Sequence, residues 1–239
     1  MKALVLAAGR GKRLGEALGN RNKCVCMVNG KPVIEYSLDC ASRTDVDEIV
    51  LVVGYRAEEI INAYGTWYKG KRLKYVVQQE QRGLVHALEC AAEMLEGEAF
   101  LLLLGDEVLV NPRHQELIEE FRTDRPFGLC GVLPVEDMEL IKRTYCIVQN
   151  GDNIIHRLIE KPRRPLNNLM GTGDCVFRNE ILSYIQYTPI HHERKEKELP
   201  DLIQCVIDDG NVVKSFPVCD RYTNINTPED IEMAEGFFR

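Results

Sequence analysis

Two glycines and a cluster of cations follow the first apolar run, in the segment Leu6-Ala7-Ala8-Gly9-Arg10-Gly11-Lys12-Arg13-Leu14, and Lys23 comes shortly after. Small residues at a strand end let the main chain approach an anion closely, with backbone N–H groups as donors. Arg13 and Lys23 add the fixed positive charge that a triphosphate needs and an apolar metabolite does not. The segment reads as a phosphate-cradling loop, against the plainer reading of a tight turn after a first strand. Leu14 takes the place of the third glycine of a dinucleotide fingerprint, and the Walker spacing is absent.

Four more clusters fall where apolar runs end. Gln78 follows Tyr75-Val76-Val77 and precedes Gly83-Leu84-Val85-His86-Ala87, so an amide and a close-approach glycine flank a helix start. The amide could read the edge of a nucleobase; the bland reading is a surface strand end. Asp106, in Gly105-Asp106-Glu107 after Leu101 to Leu104, offers a carboxylate of the kind Mg²⁺ takes together with water and phosphate oxygens, or simply a turn. Glu160-Lys161-Pro162 offers a carboxylate for hydroxyl groups and an ammonium for a phosphate, or an exposed ion pair. In Asn224-Ile225-Asn226-Thr227, Asn224 could be a second oxygen ligand, although asparagines before a helix also serve as caps.

These clusters need elements to position them, and short apolar runs alternating with helical patterns supply them. Ala3 to Leu6, Ile49 to Val53, Tyr75 to Val77 and Phe100 to Leu104 read as strands. Pro32 to Ala41, Ala57 to Tyr64, Leu84 to Leu95 and Arg113 to Phe121 read as the helices that follow. Continuous apolar character fits strands buried on both faces of a largely parallel sheet, whose ligands bind where loops leave the strand ends. After Phe127, strand-like stretches at Phe127 to Leu133, Tyr145 to Val148 and Ile154 to Ile159, with a hairpin signal at Asn150-Gly151, point to antiparallel additions. Helical patterns return at Asn179 to Gln186, Leu199 to Ile207 and Pro228 to Phe238, the last with Thr227 as N-cap. His191 to Glu198 reads as a solvated loop.

At 239 residues, 45% hydrophobic and 28% charged, the composition is that of one soluble globular domain. A formal charge of −7 argues against nucleic acid or an anionic membrane as partner. The nine cysteines show no C-x-x-C pairing with histidines, so they read as reduced, buried thiols, with Cys24 and Cys26 on one face of a strand. No signal peptide or apolar span of bilayer length is visible, and the expected location is cytoplasmic.

Taken together, the L-A-A-G-R-G-K-R-L loop, Lys23, N-G-K-P-V-I-E-Y at 29 to 36, Gln78 with Gly83, Gly105-Asp106, Glu160-Lys161-Pro162, Thr172-Gly173 and N-I-N-T-P-E-D at 224 to 230 agree in order and spacing with one family. The chain resembles the sugar-1-phosphate nucleotidyltransferases, especially the glucose-1-phosphate thymidylyltransferase and uridylyltransferase branch, over nearly all its length. The resemblance implies a Rossmann-like three-layer α/β sandwich with a mixed, mostly parallel sheet and antiparallel additions. It implies one domain over 1–239, with a nucleotide-binding half at about 1–126 and an acceptor-binding half at about 127–239. The implied reaction is Mg²⁺-dependent transfer of a nucleoside monophosphate from UTP or dTTP to a sugar 1-phosphate, releasing pyrophosphate.

Carried over by residue, Leu6, Ala8, Gly9, Gly11, Arg13, Lys23, Gln78 and Gly83 would hold the triphosphate. Arg13, Lys23 and Asp106 would be catalytic, Tyr145, Glu160, Lys161 and Gly173 would hold the acceptor, and Asp106 and Asn224 would hold Mg²⁺. Three departures from the family pattern touch the site: Asn22 replaces a proline before the lysine, Cys146 stands beside Tyr145 where a glycine is expected, and Asn224 replaces a frequent aspartate. No hexapeptide repeats follow residue 239, so the bifunctional acetyltransferase arrangement is not expected. Self-association stays open. So does a CTP-dependent cytidylyltransferase acting on a phosphorylated alcohol or amino-alcohol, because a glutamine amide carries both donor and acceptor, and so does a catalytically silent nucleotide-binding protein in which Asn224 would mark decayed metal binding.

Overall fold

The apolar runs become strands because alternate side chains enter two different cores. In β1 (Lys2–Ala7), Ala3, Val5 and Ala7 join one buried cluster while Leu4 and Leu6 join the other. The computed structural model describes residues 1–11, 14 and 21–239. A short hairpin follows, β2 (Met27–Val28) against β3 (Lys31–Pro32), and leads into α1 (Ile34–Ser42). Then come β4 (Glu48–Val53), α2 (Ala57–Tyr64), β5 (Trp67–Tyr68), β6 (Lys71–Val77), α3 (Leu84–Leu95), β7 (Phe100–Leu104), β8 (Glu107–Val110) and α4 (His114–Asp124). The rest of the chain supplies β9 (Gly128–Pro134), β10 (Tyr145–Gln149), β11 (Ile155–Glu160), β12 (Leu169–Phe177), α5 (Leu199–Asp208), β13 (Val213–Pro217), β14 (Arg221–Asn224) and α6 (Pro228–Gly236).

Among the described residues, ten strands form one mixed sheet in the order β11-β10-β12-β7-β1-β4-β6-β5, with β9 beside β12 and β13 beside β9. The pairs β7–β1, β1–β4 and β4–β6 are parallel, as expected of the βα repeats in the first half. Strands β12, β10 and β11 add to β7 antiparallel, and Asn150-Gly151 lies in the turn that joins β10 to β11. Strand β14 returns to the first half and pairs with β8, placing Asn224 opposite Glu107. The final helix starts as read: Pro228 is at its first turn, and Asp230 Oδ2 accepts from the backbone N–H groups of Asn226 and Thr227.

Three local readings are corrected. Lys23–Val25 is a 3₁₀ turn, not a strand, so Cys24 and Cys26 enter different clusters rather than sharing a face. Asn179–Tyr187 is 3₁₀ rather than α-helical. Strand β12 escaped the periodicity reading because Gly171-Thr172-Gly173-Asp174 interrupts its apolar pattern, yet all four are buried.

Candidate active site

The first cavity opens at the C-terminal ends of β1, β6 and β7. It is about 520 Å³ in volume and is lined by Leu6, Ala8, Gly9, Gly11, Lys23, Gln78, Gly83 and Asp106, among others. Every described residue assigned to the triphosphate from sequence therefore meets in one place. Arg13 lies outside the described residues.

Glycine at position 11 has a steric cause. Its φ is +58°, and a Cβ there would come within 2.7 Å of Lys23 Cβ. The loop thus lies directly on the lysine side chain. Lys23 Nζ pairs with Asp106 Oδ2 and lies 3.4 Å from Asn226 Oδ1. Asn226 is a site residue that sequence reading passed over as part of a cap; its signal was its place two residues beyond Asn224.

Asn22 explains how Lys23 is held without the family's proline. It is fully buried, its Nδ2 donates to Tyr55 O at 2.7 Å, its Oδ1 accepts from Cys24 N at 2.8 Å, and its own N–H donates to Glu59 Oε2 at 2.9 Å. A side-chain cap of this kind starts the 3₁₀ turn that carries the lysine.

Gln78 is buried rather than at a surface strand end. Its Nε2 donates to Gly83 O at 3.1 Å and lies 2.9 Å from His86 Nδ1, on the first turn of α3. Gly83, with φ +89°, starts that helix, and a Cβ there would meet Glu196 Oε2 at 2.8 Å. The segment His191 to Glu198 is consequently not a simple solvated loop: Glu196 lines the first cavity and Glu198 the second.

The second cavity, about 150 Å³, adjoins the first and shares Leu84 and Leu104 with it. Tyr145, Glu160, Lys161, Gly173 and Asn224 all line it. Lys161 Nζ lies 2.9 Å from Glu160 Oε1, and burial, only partly offset by Lys161, pushes the Glu160 carboxyl above its ordinary value. The Tyr145 hydroxyl donates to Thr172 O at 2.7 Å, so it is engaged inside the protein.

Consecutive residues where the chain passes from β7 into β8 line the two cavities. Asp106 faces the first, and Glu107, only 1% exposed, borders the second, where its Oε1 accepts from Gly173 N at 3.0 Å and Tyr222 Oη at 2.6 Å. Burial and the neighbouring Asp174 and Asp106 push the Glu107 carboxyl well above the usual carboxylate range. Among the described residues no group of three or more His, Cys, Asp or Glu side chains forms a ready-made metal cage. A single carboxylate at the cavity wall fits Mg²⁺ nonetheless, because that ion binds through one or two carboxylates and completes its shell with water and phosphate oxygens.

Fold and site together describe an α/β protein with one cavity walled by a glycine-rich loop, a lysine and an aspartate, and a smaller cavity adjoining it. The nucleotidyl transferase model matches residues 2–232, and the chain belongs to that family of enzymes. A UTP–glucose-1-phosphate uridylyltransferase of Haloferax volcanii is 32% identical over 235 residues, 98% of this chain and 95% of that one. A glucose-1-phosphate thymidylyltransferase of Streptomyces griseus is 31% identical over 218 residues, 90% of this chain and 59% of that one. Among solved structures, a UDP-glucose pyrophosphorylase complexed with UDP-glucose superposes with a TM-score of 0.86 at 17% identity, covering 99% of this chain and 97% of that one, and supports the fold.

Proposed function

We propose that this nucleotidyltransferase moves a uridylyl or thymidylyl group from UTP or dTTP to a sugar 1-phosphate and releases pyrophosphate. The observation that carries the reading is the pair of adjoining cavities, one walled by the glycine loop with Lys23 and Asp106, the other by Glu160, Lys161 and Gly173. The donors follow the relatives, one named for UTP and one for thymidylyl transfer.

The chemistry asks little of a general base. A sugar phosphate oxygen is already nucleophilic; it forms a bond to the α-phosphorus while the bond to the bridging oxygen breaks and pyrophosphate leaves. The difficulty is to bring two polyanions together in line and to stabilise charge on the α-phosphoryl oxygens. Lys23 would meet the α-phosphate, Arg13 the distal phosphates and Lys161 the acceptor phosphate, with Glu160 accepting from sugar hydroxyls. Asp106 and Asn224 would hold Mg²⁺, which when bound neutralises phosphate charge and orients the triphosphate.

We read the chain as one domain whose two halves each furnish a cavity. No helix among the described residues is long and apolar enough to cross a membrane, and the nine cysteines are free thiols, which supports a reducing, cytoplasmic setting. The test is pyrophosphate release from five triphosphates against a panel of phosphorylated sugars and alcohols. Turnover should be best with UTP or dTTP and a sugar 1-phosphate. Preference for ATP or GTP would overturn the reading, and CTP with a phosphorylated alcohol would establish the cytidylyltransferase alternative.

A further inference from the structure

Gln78 sits in a conflict of hydrogen-bond donors. One atom of its amide lies 3.1 Å from Gly83 O and 2.9 Å from His86 Nδ1. A carbonyl oxygen only accepts, so that atom must be the amide nitrogen. With one N–H on Gly83 O, the other points at His86 Nδ1, which must then present a lone pair. In a neutral imidazole the proton is therefore on Nε2.

On the far side of the ring, Arg82 Nη2 lies 2.8 Å from His86 Nε2, and arginine only donates. Arg82 thus favours the opposite tautomer, with the proton on Nδ1 and an amide turned so that its oxygen faces the histidine. That amide would set its oxygen against Gly83 O. The two demands are unequal, because Gly83 O is fixed backbone at a helix start whereas the Arg82 side chain is 64% exposed and already has Glu80 Oε2 within 3.4 Å. A proton on Nε2 has an alternative acceptor in Cys90 Sγ at 3.8 Å.

We propose that His86 is a positioning residue that fixes the orientation of the Gln78 side-chain amide and so sets donor-base selectivity, with Arg82 as the opposing donor. Both amide N–H groups are engaged inside the protein, which leaves the carbonyl oxygen of Gln78 for the nucleobase. A carbonyl accepts from the ring N–H of uracil or thymine. It is repelled by the bare ring nitrogen at the same place in cytosine. The inference rests on reading Gln78 as the base contact in the first cavity, and it resolves the donor-or-acceptor ambiguity that a glutamine leaves in the sequence.

The experiment is the ratio of kcat/KM for UTP to that for CTP in a series of variants, each checked for native folding by circular dichroism and thermal melting. His86→Ala should lower the ratio about tenfold, since one of the two restraints on the amide is lost. His86→Asn, whose Oδ1 accepts from the same amide nitrogen, should restore it toward wild type. Arg82→Ala should leave the ratio at or above wild type. A fall in Arg82→Ala, or an equal loss for all triphosphates in His86→Ala with the ratio unchanged, would overturn the proposal.

Gln78→Ala separates the two levels: if it leaves the ratio intact, base reading by Gln78 fails. If it lowers the ratio while His86→Ala does not, only the role of His86 fails. A long-range proton–nitrogen correlation spectrum, assigned against His86→Asn, gives a readout independent of activity. The proton should be found on Nε2 of His86; finding it on Nδ1 would reject the amide orientation.

Discussion

Lys23 and Asp106, 83 positions apart in the chain, form an ion pair on the wall of the larger cavity. Their side chains are only 14% and 16% exposed, so each would carry a poorly solvated charge without the other. Both are also groups proposed above to meet a triphosphate, Lys23 at its α-phosphoryl oxygens and Asp106 at its metal. The pair brings the cation and the carboxylate together at the cavity wall.

Loss of either partner should therefore be severe. Asp106→Asn and Lys23→Ala are each expected to lower turnover ~10²- to 10³-fold. Because the two act as a unit, the double variant should lose much less than the product of the single losses. Steady-state kinetics on all four proteins checks this, and full additivity would show that the pair is incidental.

Lys161 borders the smaller cavity and contacts Glu160, so it should act through the acceptor. Lys161→Ala should raise the acceptor KM and lower kcat/KM, while calorimetric affinity for the triphosphate alone changes little. Equal weakening of both ligands would reject that division.

Asn224 lies opposite Glu107 in the β8–β14 pair, and Ile225 N donates to Asp106 O at 2.7 Å, which brings Asn224 beside the Asp106 loop. As a neutral oxygen donor it should be the weaker metal ligand. Asn224→Ala should keep a remnant of activity that rises with added Mg²⁺, and Asn224→Asp should lower the Mg²⁺ concentration needed for half-maximal rate. A titration in which neither substitution shifts the Mg²⁺ dependence removes Asn224 from the metal site.

Among the described residues, Tyr222 Oη and Gly173 N both donate to the buried Oε1 of Glu107. Tyr222→Phe should cost about 1–2 kcal/mol of stability, the usual consequence of leaving a buried acceptor short of a partner. Chemical denaturation measures this, and a change under a few tenths of a kcal/mol would mean that the contact is dispensable.

Asp39 provides a pH test away from the chemistry. It is hydrogen-bonded by Lys31, Lys69 and Tyr68, and although burial alone would raise it, these partners bring its carboxyl from an ordinary 3.8 down to about 2. A depressed folded-state value stabilises above the unfolded value and is lost as pH falls through the folded one. Asp39→Asn should therefore cost about 1 kcal/mol near neutrality, Lys69 being largely solvent-screened, and the difference should close between about pH 4 and pH 2. A gap that persists at the acid end would show that packing, not charge, sets the cost.

The βα order of the first half was legible because it is written in short-range pattern. Ala57 to Tyr64, Leu84 to Leu95 and Phe100 to Leu104 have the same bounds in sequence and in structure. The strand-end positions of Gln78, Asp106 and Glu160 followed from the same pattern. What periodicity missed is where burial comes from distant neighbours: β12 is polar in its middle and is nonetheless enclosed by β7, β9 and β10.

The sequence alone determined the chemistry that the chain carries, since residue types and their spacing fix which loops can bear phosphate, amide and carboxylate groups. Only tertiary structure decided how those groups meet. Lys23 reaches Asp106 and Asn226 through chain separations of 83 and 203 residues, Glu196 is folded onto Gly83, and Asn22 takes over the support of the lysine turn. The orientation of Gln78 depends on a backbone carbonyl and a histidine nitrogen within one helical turn, at distances that spacing along the chain does not specify. Hydrogen-bond direction is a property of atoms in contact, and contact across a sheet is set by packing rather than by order in the chain.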